Sequence, residues 1–165
     1  MYEDVIQFSN ISSGFNMLNR QDPPHYAMDI IGNIADIYGV AVKNVYAGKV
    51  IVSNRDITSS AGYYVVVETD SIDPITKNKL YVRYLHLRDE PSVKPGARIN
   101  KGDLIGYTGN TGKVSPTPTA NRPRDGTHLH VDVNNAGKTS GNTILSNEFI
   151  NPQKFFSGTP FLGDI

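Results

Sequence analysis

The 165-residue chain lacks cysteine and tryptophan altogether, and it contains only four histidines. The absence of cysteine excludes disulfides, thiolate metal sites and cysteine nucleophiles, so any bound metal must be held by histidines and carboxylates. Sixteen basic and sixteen acidic side chains cancel, and this zero net charge excludes the broad positive surface typical of nucleic-acid binding. We therefore expect no nucleic-acid partner.

Long apolar runs and targeting signals are missing as well. The longest apolar stretch, Tyr63–Val67, is far shorter than the ~20 residues that a membrane-spanning helix needs. The amino terminus shows neither the basic segment nor the apolar segment of a signal peptide. The sequence therefore predicts no membrane span, and either a protein that is not exported by the usual route or a trimmed mature domain.

Turn-forming residues, by contrast, are abundant, with 15 glycines and 10 prolines. This composition predicts many short strands rather than a helix bundle, and the length predicts one domain over residues 1–165. Tyr63–Thr69 and Tyr81–Leu87 are expected to form a hairpin with a long loop, and Ala35–Val42 is the best helix candidate. The predicted strands are Val5–Phe8, Val50–Ser53, Tyr63–Thr69, Tyr81–Leu87, Leu104–Tyr107 and Thr127–Val133.

Two irregular stretches, Ser9–Pro24 and Gly109–Gly126, end directly before histidine motifs. Irregular segments of this length in a compact domain are usually functional. We interpret both as walls of a cleft, against the alternative of ordinary surface loops. Near the C terminus, Phe155 and Phe156 are expected to pack on the core.

The segment Thr127–Val133 alternates strictly between polar and apolar residues. In a strand, His128, His130 and Asp132 would share one face, and adjacent side chains on that face begin ~7 Å apart. Both imidazoles can therefore reach one small ion or one water molecule. Spacing alone does not decide which of the two histidines binds a metal.

The remaining histidines lie in two further motifs. His25 and Asp29 are four residues apart, which in an extended strand would separate them by ~13 Å, so the backbone must bend between them if both bind one ion. The alternative is a solvated His25 and a turn-capping Asp29. His86 ends an apolar strand, where a lone histidine is more often a packed core residue. Every histidine of the chain lies in one of these three motifs.

Two histidines and one carboxylate with an open fourth position are typical of catalytic rather than structural zinc. Two further imidazoles would remain nearby, and because imidazole titrates near neutrality they can accept a proton from water and donate one to an amine. An imidazole that donates a hydrogen can also stabilise a developing oxyanion. The sequence therefore predicts metal-assisted hydrolysis of an unactivated bond such as an amide.

Taken in order, the motifs resemble those of the lysostaphin-type zinc metallopeptidases, the LytM-domain family of peptidoglycan endopeptidases. The resemblance covers most of the chain, and it implies an all-β fold of mostly antiparallel sheets, similar to a β-sandwich, with the site on the floor of a groove walled by long loops. The segments that carry it are Ser13-Gly14-Phe15, His25-Tyr26-Ala27-Met28-Asp29, Tyr38–Val50, Gly62–Leu87, the glycine-spaced Val93–Gly112 and Thr127-His128-Leu129-His130.

The resemblance also assigns roles to residues. It implies Zn²⁺ as the cofactor, with His25, Asp29 and His130 as its ligands. It implies that His86 and His128 activate water and stabilise the tetrahedral intermediate. The partner would be the peptides of bacterial peptidoglycan, and the protein would act outside the cell at the wall, as a secreted domain or as part of a phage particle.

Several positions depart from the family pattern. Ala27 replaces the usual glycine two residues after the first histidine, Asn16 replaces a second glycine in the opening motif, and no aromatic residue directly upstream of His25 is available to support the transition state. Asp132 stands where the family often has glutamate. It is either a partner that orients a histidine or a plain solvent-facing strand residue.

Three alternative functions stay open. A catalytically inactive LytM-like module would have a structural or wall-binding role, although such relatives lose ligands and this chain keeps all five groups. Val93–Gly106 also resembles biotinyl and lipoyl carrier domains, but neither Lys101 nor Lys113 lies in the exposed hairpin tip that those domains need. A zinc hydrolase of small metabolites would use the same kind of site. The cleaved bond and the oligomeric state are not predicted.

Overall fold

The structure is a computed structural model that describes residues 9–13, 27–32, 37–136 and 149–150. These residues form strands, turns and loops, and within them no helix is long and apolar enough to cross a membrane. The predicted all-β fold is confirmed. The strands are β1 (Ser9–Ser13), β2 (Met28–Gly32), β3 (Ala41–Lys43), β4 (Gly48–Asn54), β5 (Tyr63–Ile72), β6 (Lys79–Leu87), β7 (Arg98–Ile99), β8 (Leu104–Tyr107), β9 (Leu129–Asn134) and β10 (Phe149–Ile150).

The strands are arranged in one eight-stranded sheet and one two-stranded sheet, and their pairings are antiparallel. In the larger sheet the order is β1-β2-β9-β6-β5-β4-β7, and β10 also pairs with β9. β3 and β8 form the smaller sheet. Because β9 has β2 on one side and β6 on the other, side chains from three distant parts of the sequence meet around it.

The hydrophobic core joins the two sheets. Val67, Tyr84 and Leu129 of the larger sheet pack in one cluster with Val42 and Ile105 of the smaller sheet, and all five are fully buried. Burial of a large apolar side chain contributes roughly 1.5–3 kcal/mol to stability. The apolar side chains of β6 and β9 are therefore anchored in the core. This anchoring fixes the positions of the site residues that the two strands carry.

Most of the predicted strands are confirmed. Leu104–Tyr107 coincides with β8, and Val50–Ser53 lies within β4. Tyr63–Thr69 and Tyr81–Leu87 form the expected hairpin as β5 and β6, but both strands extend further and the connection is shorter than predicted. Both segments are rich in β-branched and aromatic residues, which suit a sheet, and most residues of β6 are buried. Val5–Phe8 lies outside the described residues.

Two predicted elements need correction. The predicted strand Thr127–Val133 begins later, as β9, because His128 makes only an isolated bridge to Gly109. The predicted helix Ala35–Val42 is wrong over its described part, which forms a turn followed by β3. Gly39 adopts a φ of 80° in that turn, a left-handed conformation that does not continue a right-handed helix.

The two long loops have different outcomes. Ser9–Pro24 is not irregular throughout, because its first residues form β1, whose hydrogen bonds come from pairing with β2. Gly109–Gly126 is irregular as predicted. Phe155 and Phe156 lie outside the described residues, and one domain over residues 1–165 stays a prediction.

Candidate active site

Strands β2 and β9 bring Asp29 and His130 together. The two residues are direct partners across the antiparallel pair, and Nδ1 of His130 lies 3.0 Å from Oδ1 of Asp29. Two ligand atoms that are each ~2.0–2.1 Å from a tetrahedral zinc ion are ~3.3 Å apart. The observed separation therefore fits a carboxylate and an imidazole that face the same ion.

Two further imidazoles complete the cluster. His128 lies just before β9, and its Nε2 is 3.8 Å from Oδ1 of Asp29. The ring of His86, near the end of β6, has its centroid 4.8 Å from that of His128 and 6.0 Å from that of His130. One ring nitrogen from each of these three histidines lies within 4.8 Å of the others. Four of the five predicted site residues thus converge.

The fifth predicted site residue, His25, lies outside the described residues. Ala27, two residues later, is buried in a bend directly before β2. A bend between His25 and Asp29 is what the sequence requires if both residues bind one ion. The assignment of His25 as a ligand stays a prediction.

Backbone carbonyls orient two of the rings. Nδ1 of His86 lies 2.8 Å from the carbonyl oxygen of Thr111, and Nδ1 of His128 lies 2.8 Å from the carbonyl oxygen of Gly126. Because a carbonyl oxygen only accepts, each Nδ1 carries a hydrogen, and in the neutral ring Nε2 keeps its lone pair. Both histidines are therefore held in the tautomer that can accept a proton at Nε2.

His86 has an uncommon backbone conformation as well as an unusual environment. Its φ is 63°, in the left-handed region that few residues other than glycine adopt, and its N–H donates to the carbonyl of Ala61 at 2.9 Å. Burial and the neighbouring His128 lower the pKa of His86 to about 4. The ring is therefore uncharged at neutral pH, as a proton acceptor must be.

The loop between β8 and β9 reaches the site because it packs closely against Gly62, which has no side chain. Gly62 has a φ of 64°, and a Cβ atom there would lie 2.4 Å from the carbonyl carbon of Thr111. The hydroxyl of Thr111 accepts from the N–H of Tyr63 at 3.0 Å and donates to the carbonyl of Leu87 at 2.6 Å. These contacts place the carbonyl of Thr111 beside the ring of His86.

The second nitrogen of His130 faces a buried ion pair. Nε2 of His130 lies 3.3 Å from Oδ2 of Asp132, which is fully buried, so the solvent-facing alternative for Asp132 is wrong. Arg83, the cross-strand partner of Asp132 on β6, donates to both carboxylate oxygens at 2.6 Å. Burial would raise the pKa of Asp132, but Arg83 and His130 outweigh it and hold that pKa below its usual range.

The electrostatics of the centre favour a cation. Burial alone would lower the pKa of His130, but hydrogen bonds with Asp132 and Asp29 outweigh it and raise this pKa to about 9. The two carboxylates thus stabilise positive charge on or beside the ring. A divalent metal ion would supply the positive charge that the two carboxylates stabilise. The carboxylates and imidazoles of the cluster therefore fit the zinc ion that the sequence predicts.

Sequence reasoning missed Arg83 and Thr111. An arginine in the middle of the apolar strand Tyr81–Leu87 was a usable signal, because a buried guanidinium needs a carboxylate partner. Thr111 offered no such signal, since it contacts His86 through a backbone carbonyl that any residue possesses.

Comparison with known proteins agrees with this geometry. The model of Peptidase family M23 matches residues 23–142, most of the chain and all five predicted site residues. The chain belongs to peptidase family M23. The resemblance to lysostaphin-type and LytM-domain enzymes is therefore confirmed, and the family is one of peptidases.

Solved structures of other peptidases are similar to this M23 peptidase. A zinc-containing peptidase from Vibrio cholerae is 29% identical with a TM-score of 0.57, and the match covers 86% of this chain but 35% of that one. The catalytic domain of the antimicrobial peptidase lysostaphin from Staphylococcus simulans is 20% identical, with a TM-score of 0.60 and coverage of 90% and 91%. The prophage-encoded M23 protein EnpA from Enterococcus faecalis, solved as a catalytic-domain variant, is 16% identical, with a TM-score of 0.61 and coverage of 94% and 92%. This chain thus spans about a third of the Vibrio protein and nearly all of the two catalytic domains, whose fold it shares.

Proposed function

We propose that this M23 peptidase is a zinc-dependent endopeptidase that hydrolyses peptide bonds of bacterial peptidoglycan, in stem-peptide cross-links or cross-bridges. The observation that carries the proposal is the convergence of three imidazoles, whose ring nitrogens lie within 4.8 Å of one another, beside the carboxylate of Asp29. The shared fold of lysostaphin, an antimicrobial peptidase, supports a substrate in the bacterial wall.

In this proposal His25, Asp29 and His130 hold the zinc ion. Carboxylate and imidazole are ordinary zinc donors, and the 3.0 Å between Asp29 and His130 suits two ligands of one ion. A bound zinc ion would polarise the carbonyl of the substrate and lower the pKa of a water molecule. This ligand set leaves His86 and His128 free for proton transfer.

His86 and His128 are the proposed proton carriers. Because each ring donates Nδ1–H to a backbone carbonyl, Nε2 is the nitrogen that can take a proton from the attacking water. The imidazolium formed in this way can donate to the developing oxyanion or to the leaving amine. A neutral ring in this tautomer has no hydrogen at Nε2, so either histidine stabilises an oxyanion only after it has gained a proton.

We also propose that the protein acts at the bacterial cell wall, as a secreted domain or with a phage particle. The place of action follows from the proposed substrate, which lies outside the cytoplasm. The structurally similar EnpA protein is prophage-encoded, which supports the phage alternative.

The test is digestion of purified peptidoglycan of known cross-bridge chemistry, with mass spectrometry of the released ends. We expect the zinc-loaded protein to release new amino and carboxyl termini, and we expect excess chelator or His128→Ala to abolish the release. Ile75→Ala changes a 72% exposed residue at the opposite end of the β5–β6 hairpin and should leave the activity unchanged. Intact peptidoglycan after incubation with a zinc-binding protein would overturn the proposal and favour the inactive module.

A further inference from the structure

We infer that Arg83 and Asp132 are positioning residues for the metal centre, because they hold Nε2 of His130 and so leave Nδ1 for the metal. The inference rests on the proposed function, in which His130 is a zinc ligand. Neither Arg83 nor Asp132 contacts the metal in this assignment, and both act through His130.

The two ring nitrogens of His130 face different carboxylates. Nδ1 lies 3.0 Å from the carboxylate of Asp29 and Nε2 lies 3.3 Å from the carboxylate of Asp132. Because an ionised carboxylate only accepts, each nitrogen can direct a hydrogen at its carboxylate when no metal is bound. A zinc ion held by Asp29 would take the place of the hydrogen on Nδ1, and the hydrogen on Nε2 would stay directed at Asp132. The contact with Asp132 therefore holds the ring with Nδ1 as the nitrogen that binds the metal.

The carboxylate of Asp132 is itself held rigidly. Nε and Nη2 of Arg83 donate to Oδ1 and Oδ2 of Asp132, each at 2.6 Å. This two-pronged geometry fixes the plane of the carboxylate as well as its position. Arg83 also lies over the ring of Phe149, with 5.9 Å from the guanidinium carbon to the ring centroid. Contacts from β6 and β10 therefore determine where Asp132 lies.

Stability alone does not account for the buried ion pair. Both partners are buried, with Arg83 6% and Asp132 0% exposed, and desolvation of two charges often cancels their attraction. A pair of apolar residues would fill such a position in a sheet at least as well. The charged pair differs from an apolar pair because the carboxylate of Asp132 also contacts the imidazole of His130. An apolar residue could not orient that ring by a polar contact.

The test measures zinc affinity by competition with a chromophoric chelator. Asp132→Asn should weaken zinc binding by about 10–100-fold, because an amide is uncharged and holds the Nε2 hydrogen less firmly. Nitrogen-15 NMR of the zinc-loaded protein gives a second readout. In the wild-type protein His130 should show a protonated Nε2 and a metal-bound Nδ1, and the Nε2 signal should shift or exchange faster in the variant.

A matched control separates this effect from general damage. Asp73 is another buried carboxylate, 3% exposed, which accepts hydrogen bonds from Thr76 at 2.8 Å and Asn135 at 2.9 Å at the far end of β6. Asp73→Asn should lower the melting temperature but keep zinc affinity within about twofold. If Asp132→Asn fails to fold because Arg83 loses its partner, the double variant Arg83→Met, Asp132→Asn removes both charges and should show the same loss of zinc affinity.

The outcomes distinguish the two proposals. A folded Asp132→Asn protein with wild-type zinc affinity and unchanged nitrogen signals would overturn the positioning role. A wild-type protein that binds no zinc would overturn both the positioning role and the proposed function. A wild-type protein that binds zinc but leaves peptidoglycan intact would overturn only the substrate, and the loss of zinc affinity in the variant would still support the inference.

Discussion

Two halves of the candidate site are held in place by different means. In the strand half, Asp29, His130, Asp132 and Arg83 lie on the adjacent strands β2, β9 and β6, and their side chains bind one another. In the loop half, the rings of His86 and His128 are oriented by the backbone carbonyls of the loop between β8 and β9. Paired central strands open less readily than a loop does. Mutations in the strand half should therefore change mainly metal binding, and mutations in the loop half should change mainly proton transfer.

The largest expected effect lies in the strand half. His130→Ala removes a proposed metal ligand, and it should weaken zinc binding by more than the ~10–100-fold typical of residues that only orient a ligand. Activity should fall to the level of the chelated protein. Chelator competition and peptidoglycan digestion measure the two effects. Zinc affinity that stays at the wild-type level would exclude His130 as a ligand.

In the loop half, His86→Asn should lower turnover strongly without loss of metal. Asparagine tolerates the left-handed backbone of residue 86, and its amide can still donate to the carbonyl of Thr111, but it cannot accept the proton. We expect kcat to fall by roughly 10²–10⁴-fold, the usual contribution of acid–base catalysis. Zinc affinity should stay within about threefold. A parallel loss of zinc would place His86 among the ligands and remove the separation of the two halves.

A smaller effect is expected where the loop packs on the sheet. Gly62→Ala introduces a Cβ atom at 2.4 Å from the carbonyl carbon of Thr111, so the loop must shift away from His86. We expect a loss of about 1–3 kcal/mol in the free energy of unfolding and a roughly tenfold drop in activity, with zinc affinity retained. Thermal unfolding and digestion assays measure the two effects.

Gly96→Ala is the matched control for this change. Gly96 has a similar positive φ of 88°, but a Cβ atom there would meet nothing within 4 Å. Its variant should lose stability through backbone strain alone and keep full activity. Equal loss of activity in both variants would mean that strain, rather than the position of the loop, explains the effect of Gly62→Ala.

The smallest effect is expected at Thr111 itself. Thr111→Val keeps the carbonyl that contacts His86 but removes the hydroxyl that joins Tyr63 to Leu87. The partly buried N–H of Tyr63 then loses a partner, and we expect a loss of about 1–2 kcal/mol in stability and a few-fold drop in kcat. Thr111→Ser retains the hydroxyl and should behave like the wild type. A Val variant with unchanged kcat would show that the backbone alone holds the loop half.

Much of the fold could be predicted from local pattern. The β-branched and aromatic residues of Tyr63–Thr69 and Tyr81–Leu87, with the turn residues between them, were enough to locate the central hairpin. The polar segment Ser9–Ser13 has no such pattern, and it is a strand only because β2 lies beside it. The helix candidate Ala35–Val42 was wrong over its described part, because Gly39 favours a turn.

The chemistry of the site was determined by the sequence itself. With no cysteine and four histidines, all in three ordered motifs, the available donors were imidazoles and carboxylates, and the sequence motifs indicated the family that the comparison confirms. Only the tertiary structure decided which groups orient these donors. Arg83 and Asp132 are 49 residues apart, and His86 and Thr111 are 25 apart. Such contacts depend on strand register and on the path of a loop, which no local pattern of residues encodes.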